Sequence, residues 1–304
     1  MNQMANAANT GLSPAQRVQF DEDGFVLIED ALSADEVDNL LSLTDRLHEE
    51  HLAGDYCTQD EPFQMRDIPR LDDSFLEMVT HPIMLPLIVD AIGFNIQIRT
   101  SHMDIRPPQS PDVAEKGLGA TDSFFPWHAD GPNFGWPRIN GQIPFMEVKV
   151  AYYLTDLTQH NSGAICVARG SHLKNVWIER DGESMVDPEC IVEVNVRPGT
   201  AMLWRTALLH CVTPNLSPHT RKCLYFGYTH RWVRPSDYMH QPAELIERCN
   251  PIQKQLLGEL GTGKDNYVGD DPGSQPVSRF WRPVEEDIPL KAWAEDSGLS
   301  GAKG

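Results

Sequence analysis

Between Ser33 and His51, the apolar positions Val37, Leu40, Leu41 and Leu47, with Thr44 among them, recur at helical spacing and predict one amphipathic helix. Ser33 followed by Glu36 supplies a capping box at its start. Phe25-Val-Leu-Ile, after Asp23-Gly24, predicts a short strand ahead of it. A second helical stretch begins at Ser74, breaks near His81-Pro82 and stops at Ile92-Gly93. From Asn95 to Trp232 the period changes to short alternating runs: 96–105, 124–130, 146–154, 164–168, 190–196, 200–209 and 222–232. Runs of this length, split by Gly, Pro, Asn and Asp, predict an all-β sandwich or barrel. The Pro- and Gly-rich segment 107–123 is too long for a hairpin turn and reads as a lid or a surface loop.

The pattern therefore divides the chain into a polar, disordered stretch over 1–12, a main domain over 13–235 and an extension over 236–304. The main domain has a helical scaffold over 13–93 and a β core over 95–232. The extension carries one helical piece, 242–257, interrupted at Pro251. Its aromatic clusters, Arg279-Phe-Trp-Arg and Ala292-Trp-Ala, are suited to packing on the body or on a second subunit, so a homodimer is an open expectation.

Charge narrows the partners. With 25 Lys and Arg against 44 Asp and Glu, the net charge of −19 argues against attraction to nucleic acid or to an anionic membrane. Any anionic ligand needs a local basic pocket. The six cysteines include no Cys-x-x-Cys pair, which points away from zinc ribbons and towards reduced thiols in the cytoplasm. No secretory signal is expected from the first residues, and no apolar run has transmembrane length.

Candidate chemistry lies in the β region. With 11 His and 44 acidic residues in 304, about one or two His-x-Asp/Glu triplets are expected by chance, and three occur. His48/Glu50 falls on the predicted helix, where positions two apart diverge. His102/Asp104 lies in an alternating run with no aromatic shoulder before it and Arg106-Pro-Pro after it, which favours a structural or substrate-lining role. His128/Asp130 follows Phe124-Phe-Pro-Trp127; if extended, this stretch points both side chains to one side. Two imidazoles and one carboxylate on one face of a metal leave its other positions open, as non-haem iron oxygenases require.

A third ligand and a cation come from farther along. His210 ends the apolar run Gly199–Leu209, and Arg221 opens the apolar strand Arg-Lys-Cys-Leu-Tyr-Phe-Gly-Tyr. A guanidinium inside such a strand needs a carboxylate. No acidic residue is close in sequence, so the partner is either a diffusible dicarboxylate such as 2-oxoglutarate or a distant internal salt bridge.

Together, Trp127-His128-Ala-Asp130, Leu154-Thr-Asp-Leu-Thr-Gln-His-Asn-Ser-Gly163, Ala164-Ile-Cys-Val-Ala-Arg-Gly170-Ser171-His172, Arg197-Pro-Gly199-Thr-Ala-Met-Leu-Trp and the His210–Arg221 spacing resemble the phytanoyl-CoA dioxygenase family. Within it, the chain is similar to the ectoine hydroxylases over roughly residues 18–235. The resemblance implies a double-stranded β-helix, or cupin-like jelly roll, with flanking helices. It implies Fe(II) on His128, Asp130 and His210, and 2-oxoglutarate as cosubstrate with its distal carboxylate on Arg221. O2 takes the last iron position, and succinate and CO2 leave as an oxo-iron oxidant attacks an unactivated C–H bond of a small-molecule metabolite. Hydroxylation is the default outcome, with desaturation, ring closure and epimerisation open to the same oxidant. Asp130 disfavours halogenation, for which related enzymes carry a small residue there. A jelly-roll module that binds a ligand without turnover is the reading from another class.

The chain departs from the family pattern at three places, one being that Thr100 and Ser101 occupy the region where the ectoine hydroxylases have a Gln upstream of the His-x-Asp pair. Val212 stands where many members have Ser, leaving Thr213 as the substitute, and Arg169 replaces Pro before Gly170-Ser171. Tyr152 is the candidate aromatic against the cosubstrate, and Gln64 and Arg66 are candidates to reach the pocket from the helical side. Phe134, Trp136, Arg138 and Trp127, which flank the metal pair, and His102 are the candidate substrate residues; they suit an amphipathic molecule.

Overall fold

The computed structural model describes residues 11–54, 56–115, 118–119, 126–130, 139–140, 142–174, 186–259 and 288–299, and the backbone alone of 179–180 and 183–184. The helices are α1 (Pro14–Glu22), α2 (Ala34–Ala53), α3 (Asp73–Met78), α4 (Met84–Ile92), α5 (Asp112–Glu115), α6 (Ala243–Arg248), α7 (Pro251–Leu256) and α8 (Pro289–Asp296). The strands are β1 (Phe25–Ile28), β2 (Phe63–Arg66), β3 (Ile96–Arg106), β4 (Glu147–Tyr153), β5 (Ile165–Ala168), β6 (Glu179–Arg180), β7 (Glu183–Ser184), β8 (Ile191–Glu193), β9 (Ala201–Arg205), β10 (His210–Val212) and β11 (Arg221–His230). A six-stranded sheet has the order β1-β9-β4-β11-β3-β2, and a three-stranded sheet the order β10-β5-β8. Antiparallel sheets with flanking helices form the predicted jelly roll.

Contacts cluster into two units: 1–14, 66–101 and 226–304 make one, and 15–65 with 102–225 make the other. In the second unit the inward faces of the two sheets meet in a single core. Phe25, Ala151, Tyr153, Met202, Trp204, Cys223 and Tyr225 come from the larger sheet, and Ile165, Val167 and the partly buried Val212 from the smaller. Register fixes which residues share that face. Lys149 pairs with Trp204 and Ala151 with Met202, so Lys149, Ala151 and Tyr153 point inward while Val148, Val150 and Tyr152 point outward.

The first unit carries the capped turns that the sequence predicts. Its α3 and α4 are separated at His81-Pro82, and Gly93 closes α4 at φ 92°, a conformation glycine adopts without strain. Pro251 does not interrupt a helix but begins one. Asn250 and Gln253 form a capping box, and proline at the first helical position loses no hydrogen bond. In the second unit the expected box at α2 is present, with Ser33 and Glu36 bonded reciprocally. No helix among the described residues is long and apolar enough to cross a membrane.

Candidate metal centre and its basic neighbour

His210 begins β10, and its backbone exchanges two hydrogen bonds with His128, N to O at 2.9 and 2.8 Å. The expected run 124–130 is thus a single β-bridge at His128; residues 121–125 fall outside those described. The bridge does what a strand was expected to do. Asp130 N bonds Thr206 O at 2.9 Å, and His128, Asp130 and His210 offer ligand atoms that all lie within 4.8 Å of one another. Among the described residues this is the one such cluster.

The two imidazoles are oriented by their own backbones. His128 Nδ1 faces Pro126 O at 2.8 Å and His210 Nδ1 faces Leu208 O at 2.9 Å. A carbonyl can only accept, so each Nδ1 carries the proton and each Nε2 presents a lone pair. The rings stand 4.2 Å apart between centroids. Burial, reinforced by His128, pushes His210 down to about 3, so it stays neutral and able to ligate. Asp130 is held well below the usual carboxylate range: burial alone would raise it, but Lys149 and then His210 outweigh that. Lys149 Nζ sits 2.7 Å from Asp130 Oδ2, the oxygen that also lies 4.0 Å from His210 Nε2. Two imidazoles and one carboxylate fit a divalent iron.

The second His-x-Asp pair serves a different purpose. Asp104 is buried and accepts from Arg106 Nε at 2.7 Å, from Arg221 NH1 at 2.5 Å and from Gln64 Nε2 at 2.5 Å. His102 stacks on Tyr225 at 4.8 Å, and the Tyr225 hydroxyl takes Arg221 NH2. Arg221 therefore has an internal carboxylate partner, 117 positions upstream, where local sequence showed none. Its Nε remains a buried donor with no hydrogen-bond partner among the described residues, and so does the indole nitrogen of Trp204. Trp204 meets His210 edge-on at 6.1 Å and Tyr225 at 6.0 Å, linking the metal cluster to the arginine. Two orphaned donors in one interior fit a ligand rich in acceptor oxygens, such as a dicarboxylate. Gly163, at φ 81°, lets its loop close on the arginine stem; a Cβ there would lie 3.2 Å from Arg221 Cδ.

Other expected residues fall elsewhere. Tyr152 lies on the outward face of β4, opposite Lys149, so Tyr153 and Tyr225 are the tyrosines of the interior. Thr213 bonds Ala164 O through both its nitrogen and its hydroxyl, and lines an outer cavity of about 390 Å³ with His160, Cys166 and Glu193. Val212 takes the inward place. Trp127 packs with Ala129, Ala168 and Leu209, on the side away from the two ligands it flanks. Gln64 does reach the polar cluster, through Asp104. Arg66 is half exposed and bonds Thr100 and Asp237. Phe134, Trp136 and Arg138 lie outside the described residues. Sequence reading missed Asp104 as the partner of Arg221, and also Tyr225 and Trp204. The alternation of β9 and β11 was the available signal for the two aromatics.

A jelly roll carrying two histidines and a carboxylate beside a buried arginine has the architecture and donor set of the iron oxygenases. The phytanoyl-CoA dioxygenase family profile matches residues 20–223. Ectoine dioxygenase of Sphingopyxis alaskensis is 24% identical over 248 residues, covering 71% of this chain and 76% of that protein. Of the solved folds, HygX from Streptomyces hygroscopicus with nickel and 2-oxoglutarate superposes with a TM-score of 0.59 at 21% identity, over 77% of this chain and 94% of that one. The 2-oxoglutarate-dependent carbocyclase SnoK from nogalamycin biosynthesis gives 0.57 at 17%, over 78% and 97%. The chain belongs to the phytanoyl-CoA dioxygenase family, and so to the Fe(II)- and 2-oxoglutarate-dependent dioxygenases that consume O2.

Proposed function

We propose that this enzyme hydroxylates an unactivated C–H bond of a small-molecule metabolite, with Fe(II) on His128, Asp130 and His210. Arg221 receives the distal carboxylate of 2-oxoglutarate. The observation that carries this reading is that His128, Asp130 and His210 offer ligand atoms within 4.8 Å of one another while a backbone carbonyl holds Nδ1 of each imidazole. Bound iron with its cosubstrate supplies the oxidising power. The chain's own residues do the positioning: Pro126 and Leu208 carbonyls fix the imidazoles, Lys149 orients Asp130, and Arg221 offers its free Nε–H. Trp204, Tyr153 and the apolar core around them keep bulk water from that interior. An intact Asp130 favours hydroxylation over halogenation. HygX has been seen with hygromycin B bound, and a small polar metabolite is the substrate class we carry over. Six free cysteines suit a reducing, cytoplasmic setting.

Anaerobic addition of 2-oxoglutarate to the Fe(II) enzyme should give a weak visible charge-transfer band, and O2 should then release succinate. His210→Ala should abolish both. Succinate formation unchanged in His210→Ala would refute the metal assignment, and a band that survives Arg221→Ala at limiting cosubstrate would refute the role of Arg221. A screen of metabolites for stimulated O2 uptake then identifies the substrate.

A further inference from the structure

Resting on the reading of Arg221 above, we propose that Asp104 is an internal stand-in for the cosubstrate carboxylate, holding the arginine clamp assembled before 2-oxoglutarate arrives and weakening its binding afterwards. The side chain of Arg221 is fully buried, where an unpaired guanidinium is costly. Asp104 meets that need from β3, through the same guanidinium that a distal carboxylate must use. It is itself fixed on both oxygens. Arg106 Nε reaches Oδ1 at 2.7 Å, Arg106 NH2 reaches Oδ2 at 3.3 Å, and Gln64 reaches Oδ2 at 2.5 Å. Burial would neutralise the carboxyl, but Arg106 and then Arg221 keep it ionised.

An incoming carboxylate can use the free Nε–H and the second hydrogen of the neighbouring NH2, whose other hydrogen goes to the Tyr225 oxygen. It then shares one guanidinium with Asp104, and two anions on one cation repel. Arg106 offsets part of that repulsion by drawing charge from Asp104. The two substitutions therefore act in opposite directions. Asp104→Asn removes the competing charge, so cosubstrate affinity rises while the cosubstrate-free protein loses stability. Arg106→Met leaves the Asp104 charge to Arg221 alone, so affinity falls.

The test is titration calorimetry of 2-oxoglutarate into Ni(II)-loaded wild type, Asp104→Asn, Arg106→Met and Arg221→Met, with thermal unfolding of each with and without cosubstrate. Expected are roughly tenfold tighter binding for Asp104→Asn and roughly tenfold weaker binding for Arg106→Met. The melting-point rise on adding cosubstrate should also be larger in Asp104→Asn than in wild type. A merely structural cluster would weaken binding in both variants, and that result, or no change in Asp104→Asn, overturns the proposal. If Asp104→Asn does not fold, the double variant Asp104→Asn/Arg106→Met decides: binding tighter than in Arg106→Met supports the proposal, and binding as weak or weaker overturns it. Unaltered affinity in Arg221→Met would instead overturn the role of Arg221, and this inference with it.

Discussion

Replacing Lys149 with Met should expose how strongly the carboxylate ligand depends on its counter-ion. The ammonium lies 2.7 Å from Asp130 Oδ2, with side-chain exposures of 10% and 15%. Removing one member of a buried pair costs about 3–5 kcal/mol because the other charge is stranded. Residual solvent contact puts this pair near the lower figure, about 3 kcal/mol. For a chain of this size that corresponds to a fall in Tm of roughly 5 °C. The assay is thermal and urea unfolding of wild type, Lys149→Met, Asp130→Asn and the double variant, each metal-free and with saturating Ni(II). A divalent ion supplies the charge that Lys149 provided, so Ni(II) should stabilise Lys149→Met more than wild type. Asp130→Asn should gain little from Ni(II), and the double variant should recover part of either single loss, with a coupling of about 2 kcal/mol. A loss under about 1 kcal/mol in Lys149→Met, or an equal Ni(II) shift in that variant and wild type, would refute the reasoning.

Two further outcomes follow from buried groups. His172 is pushed down to about 4 by burial, so the folded state keeps it neutral while the unfolded chain protonates it near 6.5. Its contribution is full above about pH 6.5 and is lost as pH falls towards 4, amounting to about 3 kcal/mol; His172→Gln should flatten the acid limb of stability in that window, and an unchanged slope would contradict this. Gly163→Ala adds a Cβ at φ 81° and 3.2 Å from Arg221 Cδ. It should lower Tm and weaken 2-oxoglutarate binding in the Ni(II) protein, and wild-type values for both would show that the arginine stem does not need that loop.

The elements of the fold were largely legible because each is governed by local rules. The α2 capping box, the stop at Gly93 and the strands β3, β4, β9 and β11 all lie where period and punctuation put them. The residue types of the cluster that could hold a metal, His128, Asp130 and His210, were legible in the sequence. What was not legible is which side of a strand each flanking residue takes. Tyr152 and Thr213 fail as inward-facing residues by one position each, with Tyr153 and Val212 on the inward side, because register depends on partner strands and a shift of one residue reverses the face. The Asp104–Arg221 pair is invisible for a different reason: it joins residues 117 positions apart, brought together only by sheet topology.

The bridge between His128 and His210 gives a bound metal a second consequence. The two ligands stand 82 positions apart in the chain, yet their backbones meet through two hydrogen bonds. An ion held by both would act as a crosslink that closes this long loop, and cross-links of that span restrict the unfolded chain by an entropy worth about 4.5 kcal/mol. Loss of the metal should then be felt first as opening of the 126–130 segment from β10, measurable as faster amide exchange at His128 and His210. With iron held on His128 and His210 as proposed, retention of the metal and closure of the loop would be one equilibrium.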